Sequence, residues 1–184
     1  MPMIIATDLD GCLADHDAHF CAYAARHYGV HLTPATLPTP TAATTRAYRH
    51  IFEDAEYWRT LPAWHDAATY TRRIVKELGA TLRVFTFRPD YGRLNLRRLT
   101  LRWLERCNIT YSELVVEQRR PMRYDEAYPL FVEDSPGNAW QLAQEPATTV
   151  LLMEHAYNGN AMPANVRRVS CWRDVYDAAK ELCE

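Results

Sequence analysis

The sequence predicts an α/β fold: a three-layer, Rossmann-like parallel-sheet core with a small helical cap inserted after the first strand. Three observations carry this. Short β-branched runs alternate with amphipathic helical stretches, the pattern of strands laid parallel and covered by helices. The first run, Met3 to Ala6, is apolar at every position, as in a strand buried on both faces. No strand pattern interrupts the chain between residues 15 and 80, so a helical insertion separates the first strand from the second. The core is therefore expected over 1–15 and 78–184, and the cap over 16–77.

The elements follow in order. After Asp15, Phe20, Tyr23, Ala24 and His27 recur at helical spacing, and Gly29 stops that helix. Residues 31–45 carry Pro34, Pro38 and Pro40 among threonines and read as a loop. Short helices are expected over 46–60, with Tyr48, Ile51, Phe52, Tyr57 and Trp58 on an apolar side. Leu61-Pro62 punctuates the chain, and a helix runs from Asp66 to Leu78, closed by Gly79. Strand two is Thr81 to Thr86. A long helix follows from Tyr91 to Cys107, whose five arginines read as a solvated face. Residues 113–116 form a third strand and 119–123 a basic loop. Strand four, Pro129 to Val132, ends in the acid pair Glu133-Asp134. Pro136 suits the first turn of the next helix, expected to end near Gln144. Thr148 to Met153 is a strand, 166–169 extends briefly, and Trp172 to Glu181 is the last helix.

Composition narrows the function classes. A net charge of −2 over 184 residues leaves no basic footprint for a nucleic-acid polymer. No run approaches the ~18 apolar residues of a membrane span. The five cysteines are odd in number and none has CxxC spacing, which fits free thiols in a cytoplasmic protein better than a disulfide framework or a zinc site.

Chemistry is concentrated where strands end. Strand one leaves Asp8 and Asp10, strand two Thr86 and Arg88, and strand four Glu133 and Asp134. In a parallel sheet these ends share one edge, so the groups converge. Paired carboxylates repel, and a cation or a shared proton relieves them; hard Mg²⁺ prefers such oxygens and commonly takes a substrate phosphate as well. A hydroxyl and a guanidinium nearby suit a phosphoryl group. The bland alternatives are an acidic N-cap and turn after strand one, a strand-favouring Thr86, and an exposed Arg88 before proline. His16, His19, Tyr48, Trp58 and Tyr157 either line a cleft and stack on a base or simply pack. Cys12, beside acids, reads as an inert thiol.

Asp8-Leu9-Asp10-Gly11-x-Leu13-x-Asp15, Thr86 at a strand end and Glu133-Asp134-Ser135-Pro136-x-Asn138-Ala139 resemble three motifs of the haloacid dehalogenase-like (HAD) phosphohydrolases. Thr86-x-Arg88-Pro89, Leu61-Pro62, Ala156-Tyr157-Asn158 and Val169-x-x-Trp172 are most similar to the 5′(3′)-deoxyribonucleotidase group and its bacterial relatives. The resemblance implies a Mg²⁺-dependent phosphomonoester hydrolase. Asp8 would be the nucleophile and Asp10 the general acid and base. Asp8, the Asp10 carbonyl, Glu133 and Asp134 would hold Mg²⁺, with Asp134 direct and Glu133 direct or through water. Thr86 would bind phosphoryl oxygens, with Arg88, Arg120, Tyr157 and Asn158 at the substrate. The family's motif lysine is missing, since Lys76 and Lys180 are the only lysines and neither is in place. Arg123, ten residues before Glu133, is the candidate substitute, with Arg120 and Arg119 behind it. The expected partner is a small phosphorylated metabolite, by resemblance a nucleotide, and a homodimer is the one protein assembly entertained. Rival readings are a phosphatase of a sugar phosphate or other small metabolite, and a catalytically weakened relative that binds phosphate ligands or a protein.

Overall fold

The structure is a computed structural model and describes residues 2–37, 41–88, 94–117 and 128–183. Six strands lie in one sheet: β1 (Ile4–Asp8), β2 (Thr81–Phe87), β3 (Glu113–Glu117), β4 (Leu130–Glu133), β5 (Thr149–Met153) and β6 (Val166–Val169). Their order is β3-β2-β1-β4-β5-β6, and every pair is parallel. β1 is central and flanked on both sides, which explains why Ile4 to Ala6 are apolar without alternation.

Successive side chains point to opposite faces of the sheet. Ile5, Leu82, Val84, Leu130, Val132 and Leu151 join one hydrophobic cluster, while Ala6, Phe85, Phe131, Val150 and Leu152 join another. The first cluster takes in α1 (His16–Tyr28), α2 (Ala42–Phe52), α3 (Ala55–Thr60), α4 (Ala67–Glu77), α5 (Leu96–Arg106) and α7 (Trp172–Cys183). Among the described helices, α6 (Pro136–Leu142) is the one that packs on the second. Three layers result, as expected of a parallel sheet.

Between β1 and β2 every described element is helical, apart from the isolated bridges that Ala14 makes with Asp10 and Ala63. α1 closes at Gly29, whose φ of 62° is left-handed and whose N–H reaches the Ala24 carbonyl. Two boundaries differ from the sequence reading. Part of the expected loop 31–45 is helical: a 3₁₀ turn spans Pro34–Thr36, and α2 starts at Ala42 because Thr41 and Thr44 form a reciprocal capping box. The helix expected from Tyr91 begins at Leu96, where the Asn95 side chain caps the Arg98 N–H at 2.8 Å.

Two tertiary ties fix helices of the first cluster to one another. The Leu61 carbonyl accepts from Trp103 Nε1 at 2.8 Å and from Arg106 Nη2 at 2.7 Å, joining the Leu61-Pro62 turn to α5. Asp66, at the start of α4, accepts the backbone N–H groups of Trp172 and Arg173 at 3.1 and 3.0 Å, so it caps α7 from another element. Asp66→Ala is expected to lower stability by about 0.5–2 kcal/mol in a denaturant titration, the usual worth of a helix cap.

Candidate active site

The strand register assembles the site. Asp8 pairs with Phe85, so Thr86 lies one step beyond it; Thr7 pairs with Val132, so Glu133 follows beside Asp8. After β1 the chain turns tightly, with the N–H groups of Leu13 and Ala14 both on the Leu9 carbonyl at 2.9 Å. Gly11 makes the turn possible twice over. Its φ is +87°, and a Cβ there would stand 2.6 Å from both Cγ and Oδ2 of Asp134. The Asp134 carboxylate therefore rests directly against the turn that carries Asp10.

Each acid has its own environment. Asp10 is gripped by both terminal nitrogens of Arg88, the Nη2–Oδ1 contact being 2.9 Å. Arg88 also donates to the Phe87 carbonyl at 3.0 Å and lies over the Trp58 ring, 4.4 Å from its centroid. Glu133 is fully buried. Its Oε1 accepts the N–H groups of Asp134 and Ser135 at 3.0 and 2.9 Å, and its Oε2 accepts from Asn138 at 3.2 Å. Glu133 thus shapes the turn that presents Asp134. Asp134 in turn accepts from the Tyr157 hydroxyl. The Asn158 amide donates to the carbonyls of Asp134 at 2.9 Å and Met153 at 2.7 Å.

Electrostatics separates two groups of carboxylates. Burial, then repulsion from Glu133, Asp134 and Asp10, holds the Asp8 carboxyl well above the usual range. Burial and the neighbouring Asp134 do the same to Glu133, and burial raises Asp134 against the opposing Tyr157 hydrogen bond. Asp17 behaves oppositely. Burial would raise it, but hydrogen bonds from His155 and His16 hold it at about 2. Among the described residues, Arg88 is ion-paired to Asp10 and His155 to Asp17, while Asp8, Glu133 and Asp134 have no ion-pair partner. Oxygen atoms of Asp8 and Asp134 and the Cys12 sulfur lie within 4.8 Å of one another, a set able to hold a divalent cation. Burial and the acids around it push the Cys12 thiol well above its ordinary value, so it is inert as a nucleophile. Thr86 Oγ1 and Arg88 Nε are buried without a hydrogen-bond partner among the described residues; Arg88 lines the cleft into which the acids open, and Thr86 lies outside its lining.

The acids open into a cleft of about 230 Å³, walled across from Asp8 and Asp134 by Tyr48, Ile51, Phe52 and Trp58 of α2 and α3. Of the expected substrate residues, Arg88 and Tyr157 line this cleft, each already bonded to an acid. Asn158 is fully buried and braces the 155–158 loop instead. Arg119, Arg120 and Arg123 lie outside the described residues. The sequence reading missed Asp17 and His155. The only local signals were their positions, two residues past Asp15 and one before Ala156-Tyr157-Asn158.

A parallel sheet whose central strand ends in Asp-x-Asp, against an acid pair on the neighbouring strand and a threonine on the other, defines a HAD-superfamily hydrolase. The chain belongs to the family described as 5′ nucleotidase, deoxy (pyrimidine), cytosolic type C protein (NT5C), whose model matches residues 2–182. It is similar to a crystal structure of a HAD-superfamily hydrolase, subfamily IA, variant 1, from Geobacter sulfurreducens PCA. The TM-score is 0.59 at 16% identity over 97% of this chain and 100% of that one, a likeness of fold. It is also 36% identical over 90 residues to YqfW of Bacillus subtilis (strain 168), a protein named for a suggested nucleotidase activity; the match spans 45% of each chain. No helix among the described residues is long and apolar enough to cross a membrane.

Proposed function

We infer that the protein is a Mg²⁺-dependent phosphomonoester hydrolase acting through an aspartyl-phosphate, with a nucleoside monophosphate as substrate. The observation that carries this is the division of the acids: Asp10 is ion-paired with Arg88, while Asp8 and Asp134 approach one another with no ion-pair partner among the described residues. The donors fit a hard divalent ion, which the Asp8 and Asp134 carboxylates and the Asp10 carbonyl would hold. Bound there, Mg²⁺ neutralises the carboxylates and polarises a phosphoryl oxygen.

Asp8 attacks phosphorus, and the bond to the leaving oxygen breaks as Asp10 delivers a proton to that oxygen. Asp10, now a carboxylate, takes a proton from water. The resulting hydroxide attacks the aspartyl-phosphate, breaking the bond to Asp8 and releasing inorganic phosphate. Arg88 holds Asp10 as the carboxylate that takes the proton from water, and one of its two contacts opens when Asp10 carries the proton for the leaving oxygen; Thr86 donates to a phosphoryl oxygen. Arg123 is proposed to supply the charge of the missing lysine. The segment 16–77 acts as a cap, and its aromatic wall in the cleft suits a nucleobase.

A panel of nucleoside monophosphates and sugar phosphates, assayed for phosphate release with Mg²⁺, tests the reading. Release is expected to be highest, by kcat/KM, on a nucleotide. Preference for a sugar phosphate would move the substrate to the rival metabolite class. No release from any member, with Mg²⁺ still bound, would leave a phosphate-binding relative.

A further inference from the structure

His155 stands where β5 leaves the sheet, and the mechanism above assigns it no role. Its ring is nearly buried, and both nitrogens are occupied. Nε2 lies 2.7 Å from the Gly11 carbonyl, and Nδ1 lies 2.8 Å from Asp17 Oδ2. A carbonyl and a carboxylate only accept, so both ring nitrogens carry hydrogen and the ring is an imidazolium. Burial opposes that charge, but Asp17 outweighs it and the histidine is held above its ordinary value.

The ring has a third contact. It stacks on Tyr157, with centroids 5.1 Å apart and planes at 15°, and the Tyr157 hydroxyl donates to Asp134. His155 therefore touches the turn after Asp10, the first turn of α1 and the tyrosine that steadies Asp134. Asp134 also presses on Gly11, so closely that no Cβ fits. Gly11 is thus held by two groups, the Asp134 carboxylate against its Cα and His155 on its carbonyl.

The geometry points to His155 as a positioning residue: by bonding the Gly11 carbonyl and ion-pairing with Asp17, it holds the Asp10–Gly11 turn and Asp134 in the register that binds the divalent cation. The assignment rests on the reading of Asp8 and Asp134 as metal-holding groups. The imidazolium touches neither substrate nor reacting atoms. Its charge and two donors act through Gly11, Asp17 and Tyr157.

The experiment is calorimetric titration of Mg²⁺ into the substrate-free protein, with kcat and KM measured alongside. His155→Gly should weaken Mg²⁺ binding about tenfold or more, the usual cost of removing a group that supports metal ligands. kcat should fall at limiting Mg²⁺, while KM for the phosphoester changes little. Added imidazole should restore Mg²⁺ affinity. Pyrazole, of the same shape but uncharged at neutral pH, should not. Equal recovery with pyrazole would reduce His155 to packing, and unchanged Mg²⁺ affinity in His155→Gly would overturn the assignment. Should that variant not fold, His155→Gln, which offers one donor nitrogen for two acceptors, takes its place. Combined with Asp17→Asn, it should lose no more affinity than either change alone, because both break one unit; additive losses would overturn the proposal. Wild-type protein that binds Mg²⁺ but hydrolyses no phosphoester would sink the proposed function while leaving the His155 result readable. Wild-type protein that binds no Mg²⁺ would overturn both.

Discussion

Asp8→Asn is expected to lower phosphate release by about 10³-fold or more, the scale of losing a nucleophile. The amide cannot attack phosphorus, so the loss should appear in kcat on every substrate rather than in KM. A second signature separates this from misfolding. Asp8 is buried among Glu133, Asp134 and Asp10, and that crowding already disfavours its charge. An uncharged, nearly isosteric side chain relieves the repulsion, so the metal-free variant should melt above the metal-free wild type. Phosphate release that survives the substitution would remove Asp8 from the mechanism.

Chelation of the divalent ion is the second large effect. EDTA should reduce turnover to background and lower the melting temperature, with Mg²⁺ restoring both. The stability gap should widen as pH rises, and the sign can be worked out. In the metal-free protein Asp8, Glu133 and Asp134 have carboxyl pKa values raised by burial. Above the unfolded carboxylate range of about 4, the folded form holds more protons than the unfolded form. Stability therefore falls as pH climbs through the raised folded values. His155, also raised, acts in the same direction. Asp17, held at about 2, has the opposite sign, but its contribution is lost only as pH falls below its ordinary range toward about 2. Melting curves with and without Mg²⁺ across pH 5–8 check this; a gap that narrows with rising pH would contradict it.

The catalytic edge was legible because its first shapes are local. Asp8 and Asp10 end an apolar run, Glu133 and Asp134 end another, and a parallel sheet brings such ends together whatever lies between. What stayed hidden is pairing across sequence. Nothing near Arg88 marks it as the partner of Asp10, 78 residues away, and nothing near His155 points to the Gly11 carbonyl, 144 residues away. Arg88 before proline reads as readily as an exposed arginine, and only the fold places Trp58 under it. The start of α2 was obscured differently. Prolines and threonines, weak helix formers, make 31–45 read as loop, and the reciprocal cap between Thr41 and Thr44 that starts α2 shows only in the fold.

The central place of β1 has a consequence for how the molecule is made. Ile4 pairs with Thr81 and Ile5 with Leu130, so β1 leaves the ribosome well ahead of both its neighbours. At roughly 5–20 residues per second, the gap from Ile4 to Thr81 is about 4–15 seconds of synthesis. During that interval an apolar strand with two unpaired edges is carried beside helical segments too short to be stable without packing. The intervening helices are the first available cover for it, and the carboxylates of Asp8 and Asp134 meet only after β4 arrives. A nascent chain halted before Leu130 would hold Asp8 but not Asp134 opposite it.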